Sequence, residues 1–101
     1  MTYSLFVRKS AKADVRKAAR WYELQCPGLG RDFVNQVDTT LNRLTGNLQQ
    51  YQVLYREVRR AIIHQFPYGV YYRIEADRII VFCVTDLRQE PSTWKSRIPK
   101  S

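Results

Sequence analysis

Between Val58 and Asp86 the pattern of apolar and polar positions reads as three β-strands joined by turns. Val58, Arg60, Ile62, His64 and Phe66 would share one side of a pleated ribbon, and Arg59, Ala61, Ile63 and Gln65 the other. Phe66-Pro67-Tyr68-Gly69 is a turn signal, because proline presets φ and glycine tolerates a positive one. Val70 to Ile74 follows, rich in the aromatic and β-branched residues that suit a strand. After the polar Glu75-Ala76-Asp77-Arg78, the run Ile79 to Thr85 is apolar at nearly every position. A strand apolar on both faces belongs inside a sheet, covered on both sides.

The first half of the chain supplies such cover. Tyr3 to Arg8 reads as a short strand, and Ser10 is placed to cap a helix, its hydroxyl accepting an orphan backbone N–H. Ala11, Val15, Ala18 and Tyr22 recur at helical spacing, with Lys12, Arg16, Lys17, Arg20 and Glu23 on other faces. Cys26-Pro27-Gly28-Leu29-Gly30 ends this helix. A second begins near Gly30 or Arg31, carries Phe33, Val37, Leu41 and Leu44 on one face, and meets a C-terminal cap in Gly46. Helices joined by so short a loop pack antiparallel. Asn47 to Leu54 is a polar connector, and Ser92 to Arg97 a short helical turn before the tail. The expected order is β-α-α-β-β-β, an α+β fold with a helical hairpin packed on an antiparallel-rich sheet.

Composition narrows the class. A chain of 101 residues is expected to be one domain spanning 1–101, and 45% hydrophobic content is that of a globular protein. No apolar run approaches the ~20 residues of a membrane helix, and the N-terminus lacks the pattern of a signal peptide. The cytoplasm is therefore the expected location and no membrane partner is implied. Cys26 and Cys83 form no metal motif, and the intracellular character weighs against a disulfide. The net charge of +8 comes from 17 basic residues, 12 of them arginine, spread evenly along the chain. Arginine's planar fork suits phosphates and carboxylates, so nucleic acid and acidic protein partners both stay open.

Ala13-Asp14-Val15, Ala18, Trp21-Tyr22-Glu23, Pro27-Gly28-Leu29-Gly30 and Phe33 resemble the first half of ParE-type toxins. Phe66-Pro67-Tyr68, Val70, Tyr72-Arg73-Ile74, Arg88, Pro91, Trp94 and Arg97 are similar to the second half. The likeness runs from about Tyr3 to Arg97 and keeps the element order of the RelE/ParE superfamily. One departure is that many members carry His where this chain has Asp86. The resemblance implies a toxin of a bacterial type II toxin–antitoxin pair, held in a tight complex by a cognate antitoxin. ParE-like members are associated with inhibition of DNA gyrase, and RelE-like relatives cut messenger RNA on the ribosome.

Metal-free RNA cleavage needs a base for the 2′-hydroxyl, an acid for the leaving oxygen and cations for the phosphorane. His64 is the chain's single histidine and reads as a core or edge residue. Where RelE-type nucleases carry a third-strand arginine, the match here is Gly69 or its neighbourhood, and Trp94 stands in place of a C-terminal Tyr or His. No phosphate-binding loop, metal-ligand spacing, nucleophile triad or cofactor motif is present. No catalytic residue is assigned, and a gyrase-binding inhibitor is favoured over a ribonuclease or an inactive member that only binds antitoxin. The candidate partner-binding residues are Arg59 and Arg60, opening the first strand of the Val58–Asp86 region, and Arg88, Trp94 and Arg97 beyond its last strand. Trp94 is weighed more as a packing anchor than as a contact. Arg73 is expected to pair with an acidic residue or stack on tyrosine.

Overall fold

Ile79 to Val84, the most apolar stretch of the chain, is buried throughout. The computed structural model describes residues 3–46 and 51–99 and places that stretch in an interior strand. The elements are β1 (Ser4–Val7), α1 (Lys9–Gln25), α2 (Leu29–Leu44), β2 (Val53–Tyr55), β3 (Val58–Ile62), β4 (Tyr68–Glu75), β5 (Arg78–Asp86) and α3 (Ser92–Lys95). The sheet order is β1-β5-β4-β3-β2. β1 runs parallel to β5 and the remaining neighbours are antiparallel, which is the expected α+β architecture.

The two faces of β5 are covered differently. Ile79, Val81 and Val84 meet Ala11, Ala18, Phe33, Val37 and Leu44 of the helical hairpin. Phe82 and Cys83 pack on the opposite side with Val58, Tyr71 and Trp94. The switch of faces happens at a bulge, where Tyr71 pairs with Cys83 but Tyr72 pairs with Val81. The extra residue lets two successive side chains enter the smaller cluster.

Local structure departs from expectation in several places. Ser10 does not cap α1: Arg8 is the N-cap residue without a side-chain bond, and the Ser10 hydroxyl donates to the Phe82 carbonyl. α2 ends at Leu44 with Thr45 in a right-handed conformation, and Gly46 donates its N–H to the Arg43 carbonyl. Of the Asn47–Leu54 connector, residues 47–50 lie outside the described residues, whereas Val53 and Leu54 belong to β2, an edge strand on β3. β3 stops at Ile62, short of Phe66, because Gln65 at φ 71 turns the chain. His64 therefore lies in an exposed turn, not in mid-strand, and Ile62 and Phe66 part company, Ile62 exposed and Phe66 buried.

Glu75 and Arg78 pair across the turn between β4 and β5, whose first central residue, Ala76, sits at φ 54. An L-residue in that region costs about 1–2 kcal/mol that glycine avoids. Ala76→Gly is expected to raise stability by about 1 kcal/mol, since glycine's greater unfolded-state freedom offsets part of the gain. A urea midpoint at or below that of the parent would contradict this.

Candidate functional site

The stripe that buries α1 leaves Trp21 and Leu24 off it, and both stay in solvent, 55% and 79% exposed. They stand beside Lys17 and Arg20 on one wall of an open groove of about 740 Å³. The facing wall is the end of β5 with the segment that follows it, including Thr85, Asp86, Arg88, Gln89 and Thr93. Tyr22 and Tyr68 line the groove between the walls. Their rings are 6.0 Å apart, and both pack on Phe33, at 5.4 and 5.1 Å between centroids. Trp21 meets Tyr22 edge-on at 5.1 Å, which ties the exposed indole to the aromatic core.

Two carboxylates organise the far wall. Asp14, on α1, accepts the Val84 backbone N–H at 3.0 Å and the Arg97 guanidinium at 2.5 Å through the same oxygen. Ser10, one helical turn earlier, donates to Phe82, so α1 bonds the β5 backbone at the bulge and just past it. The hydrogen bond to Asp14 raises the Arg97 pKa above its ordinary value. Asp86 ends β5 and is gripped by Arg88, which donates Nε at 2.9 Å, Nη2 at 2.7 Å and its backbone N–H at 2.8 Å. Those bonds hold the Asp86 carboxyl below the usual carboxylate range, the side-chain bond contributing most. The stabilisation this pair provides is complete above the ordinary carboxylate pKa and is lost only as pH falls through the depressed value. Burial pushes the Tyr22 phenol up, and the neighbouring Asp86 charge pushes it further. Tyr68 is raised by burial, then by Tyr22 and Asp86.

The sequence-derived candidates fall in different places. Arg88 and Arg97 line the groove. Trp94 is buried, stacked on Tyr71 at 5.1 Å, and so anchors α3 to the sheet without presenting a surface of its own. Arg60 lies on that opposite face, its side-chain carbons against Gly69, where a Cβ would come within 2.9 Å of them and 3.1 Å of Leu87. Arg59 donates Nη1 to the Tyr51 carbonyl at 2.6 Å, and neither Arg59 nor Arg60 lines the groove. Arg73 forms an ion pair with Glu75 at 2.7 Å, as expected, and Tyr71 and Tyr72 are buried. Lys17, Arg20, Trp21, Leu24 and Asp86 were not singled out from the sequence as site residues. The available signal was a large aromatic and a leucine at helix positions outside the apolar stripe.

Cys83 is fully buried, and burial, with Asp14 next to it, pushes its thiol up to about 12. Cys26 is exposed. Iodoacetamide at pH 8 is expected to add one label to the folded chain, at Cys26, and two after unfolding. Mass spectrometry finding Cys83 labelled in the native protein would contradict the burial.

Residues 5–91 match the family described as ParE toxin of type II toxin–antitoxin system, parDE. The chain belongs to this family. No curated protein matches it in sequence. Among solved structures, the chromosomal ParDE toxin–antitoxin system from P. aeruginosa is similar, with a TM-score of 0.76 and 17% identity over 84% of this chain and 96% of that one. A free-state mutant of the E. coli toxin RelE aligns at 0.67 and 15% identity, over 96% and 94% of the two chains. The RelBE2 toxin–antitoxin complex from Mycobacterium tuberculosis aligns at 0.60 and 15%, over 85% and 99%. The fold is thus that of both ParE and RelE toxins. No helix among the described residues is long and apolar enough to cross a membrane.

Proposed function

We propose that this toxin arrests growth by binding DNA gyrase in the cytoplasm, and that its antitoxin silences it by occupying the groove beside α1. The observation that carries this reading is the pairing of Trp21 and Leu24, both exposed, with the cations Lys17 and Arg20 along one open groove. An amphipathic helix with an acidic flank fits such a surface, because its apolar stripe covers the indole and leucine while its carboxylates meet the rim. Arg88 lies in the same groove, so an antitoxin seated there would also cover the cation proposed to meet gyrase. Neutralisation is then occlusion of the target-binding surface.

The rival reading, ribosome-dependent messenger cleavage, draws on the likeness in fold to RelE. Against it stand Arg88 and Arg97 of the groove, each paired with a carboxylate of the chain itself. His64 does not line the groove and Trp94 is buried, so neither is placed to move a proton there. A fold shared by binders and nucleases cannot decide the matter alone.

The test is induced expression without antitoxin, followed by supercoiling and translation assays on purified protein. The expected result is lost supercoiling with translation intact, and Arg88→Ala should relieve both toxicity and gyrase inhibition without changing the circular dichroism. Messenger cut on ribosomes with supercoiling intact would establish the rival. No effect on growth would identify a member that only binds antitoxin.

A further inference from the structure

The Arg88 side chain is 82% exposed, yet one of the two donor edges of its guanidinium is already filled and its charge is matched by Asp86. Nε and Nη2 both donate to Asp86, the parallel two-bond arrangement by which arginine grips carboxylates and phosphates. Asp86 is itself fixed: its side chain is 16% exposed, its backbone pairs with Tyr68 in the sheet, and one oxygen also accepts the Arg88 N–H. A phosphate approaching that edge would have to displace a carboxylate tethered two residues away, or sit beside its charge. The outer edge of Arg88, with Nη1, keeps its donors, but with the Asp86 charge beside them they suit a neutral acceptor, such as a backbone carbonyl or a side-chain amide, better than a phosphate. Arg97, the other arginine of this wall, is likewise occupied by Asp14.

We infer that Asp86 is a specificity-determining residue of the groove: by closing the Arg88 fork it admits a protein surface and rejects the phosphates of single-stranded RNA. The inference rests on the protein-docking reading of the groove. Its test uses neither gyrase nor antitoxin, so a mistaken target would leave the outcome untouched.

The experiment measures binding of a fluorescein-labelled oligouridylate to the purified chain over a series of NaCl concentrations. Asp86→Asn keeps an oxygen for the Arg88 N–H but removes the charge. It is expected to tighten RNA binding several-fold and to steepen the salt dependence by about 0.7 in log–log slope, one further phosphate contact. Adding Arg88→Ala to that variant should restore the parent slope, and Arg88→Ala alone should leave the slope unchanged. Asp77→Asn makes the same change in net charge at the opposite end of β5 and should not steepen the slope. Asp86→Ala, judged by the same assay, guards against an amide-specific effect and should behave as Asp86→Asn does. A slope unchanged by Asp86→Asn, a gain that survives Arg88→Ala, or an equal gain in Asp77→Asn would each overturn the assignment. So would a shallower slope in Arg88→Ala alone, which would mean the fork is open to phosphate already.

Discussion

Asp14→Ala is expected to cost about 2–3 kcal/mol of stability, the larger part from one orphaned backbone group. Asp14 accepts the Val84 N–H just past the β5 bulge, where the pairing with β1, which ends at Val7 and Val81, no longer covers that edge of β5. A hydrogen bond to a charged group contributes about 1.5–3 kcal/mol, and stranding its buried partner costs a similar amount. The Arg97 ion pair adds less, because about a third of the Arg97 side chain remains in water, which takes over its donors. For a domain of this size the loss corresponds to a fall in Tm of about 10 °C or more. Asp14→Asn should recover about half of it, since the amide oxygen still accepts from Val84. Hydrogen exchange at the Val84 amide is the sharpest readout. Protection equal to the parent in Asp14→Ala would mean that the contact between α1 and the bulge does not carry the load assigned to it.

Gly30→Ala is expected to destabilise by about 2 kcal/mol, although alanine is the better helix former. Gly30 lies in the first turn of α2 where α2 crosses α1, and a Cβ there would stand 2.6 Å from the Ala19 carbonyl oxygen. That oxygen belongs to the α1 backbone, so relief requires the two helices to separate, and overpacking of this kind costs about 1–3 kcal/mol. The same Cβ would press on Glu23 at 3.1 Å. Glu23 bridges the loop by accepting the Gly28 and Gly30 N–H groups at 3.0–3.1 Å, so the helical connection would loosen as well. If the antitoxin docks beside α1 as proposed, separation of the hairpin, which moves Trp21 and Leu24, should also weaken its binding. Unchanged stability and affinity in Gly30→Ala would show that the crossing has room to spare.

Much of the fold was legible because its signals are local. The 3.6-residue recurrence of Ala11, Val15, Ala18 and Tyr22, the break at Cys26–Gly30, and the apolar run Ile79–Thr85 each reflect which face of an element is buried. β2 was not legible: three residues, Val53–Tyr55, carry too little pattern, and their pairing with β3 is what makes them a strand. The end of β3 was misplaced because β-branched and apolar residues continue to Ile63, while Gln65 adopts a left-handed conformation that its residue type does not announce. Ser10 has the chemistry of a cap, but a carbonyl at the bulge competed for its hydroxyl and took it.

The site was half legible. Arg88 and Arg97 could be placed near the end of the last strand, yet their partners Asp86 and Asp14 could not be assigned. The sequence alone determined the order of every element but β2, the helical hairpin, the interior strand and the family resemblance, since periodicity and turn chemistry act over a few residues. Only the tertiary structure decided that Asp14 meets Val84 and Arg97, 70 and 83 residues away, and that Trp94 faces inward. It likewise decided that Trp21 and Leu24 line a groove with Arg88. Such contacts depend on how the hairpin closes over the sheet, and no local pattern specifies which distant groups that closure brings within hydrogen-bonding reach.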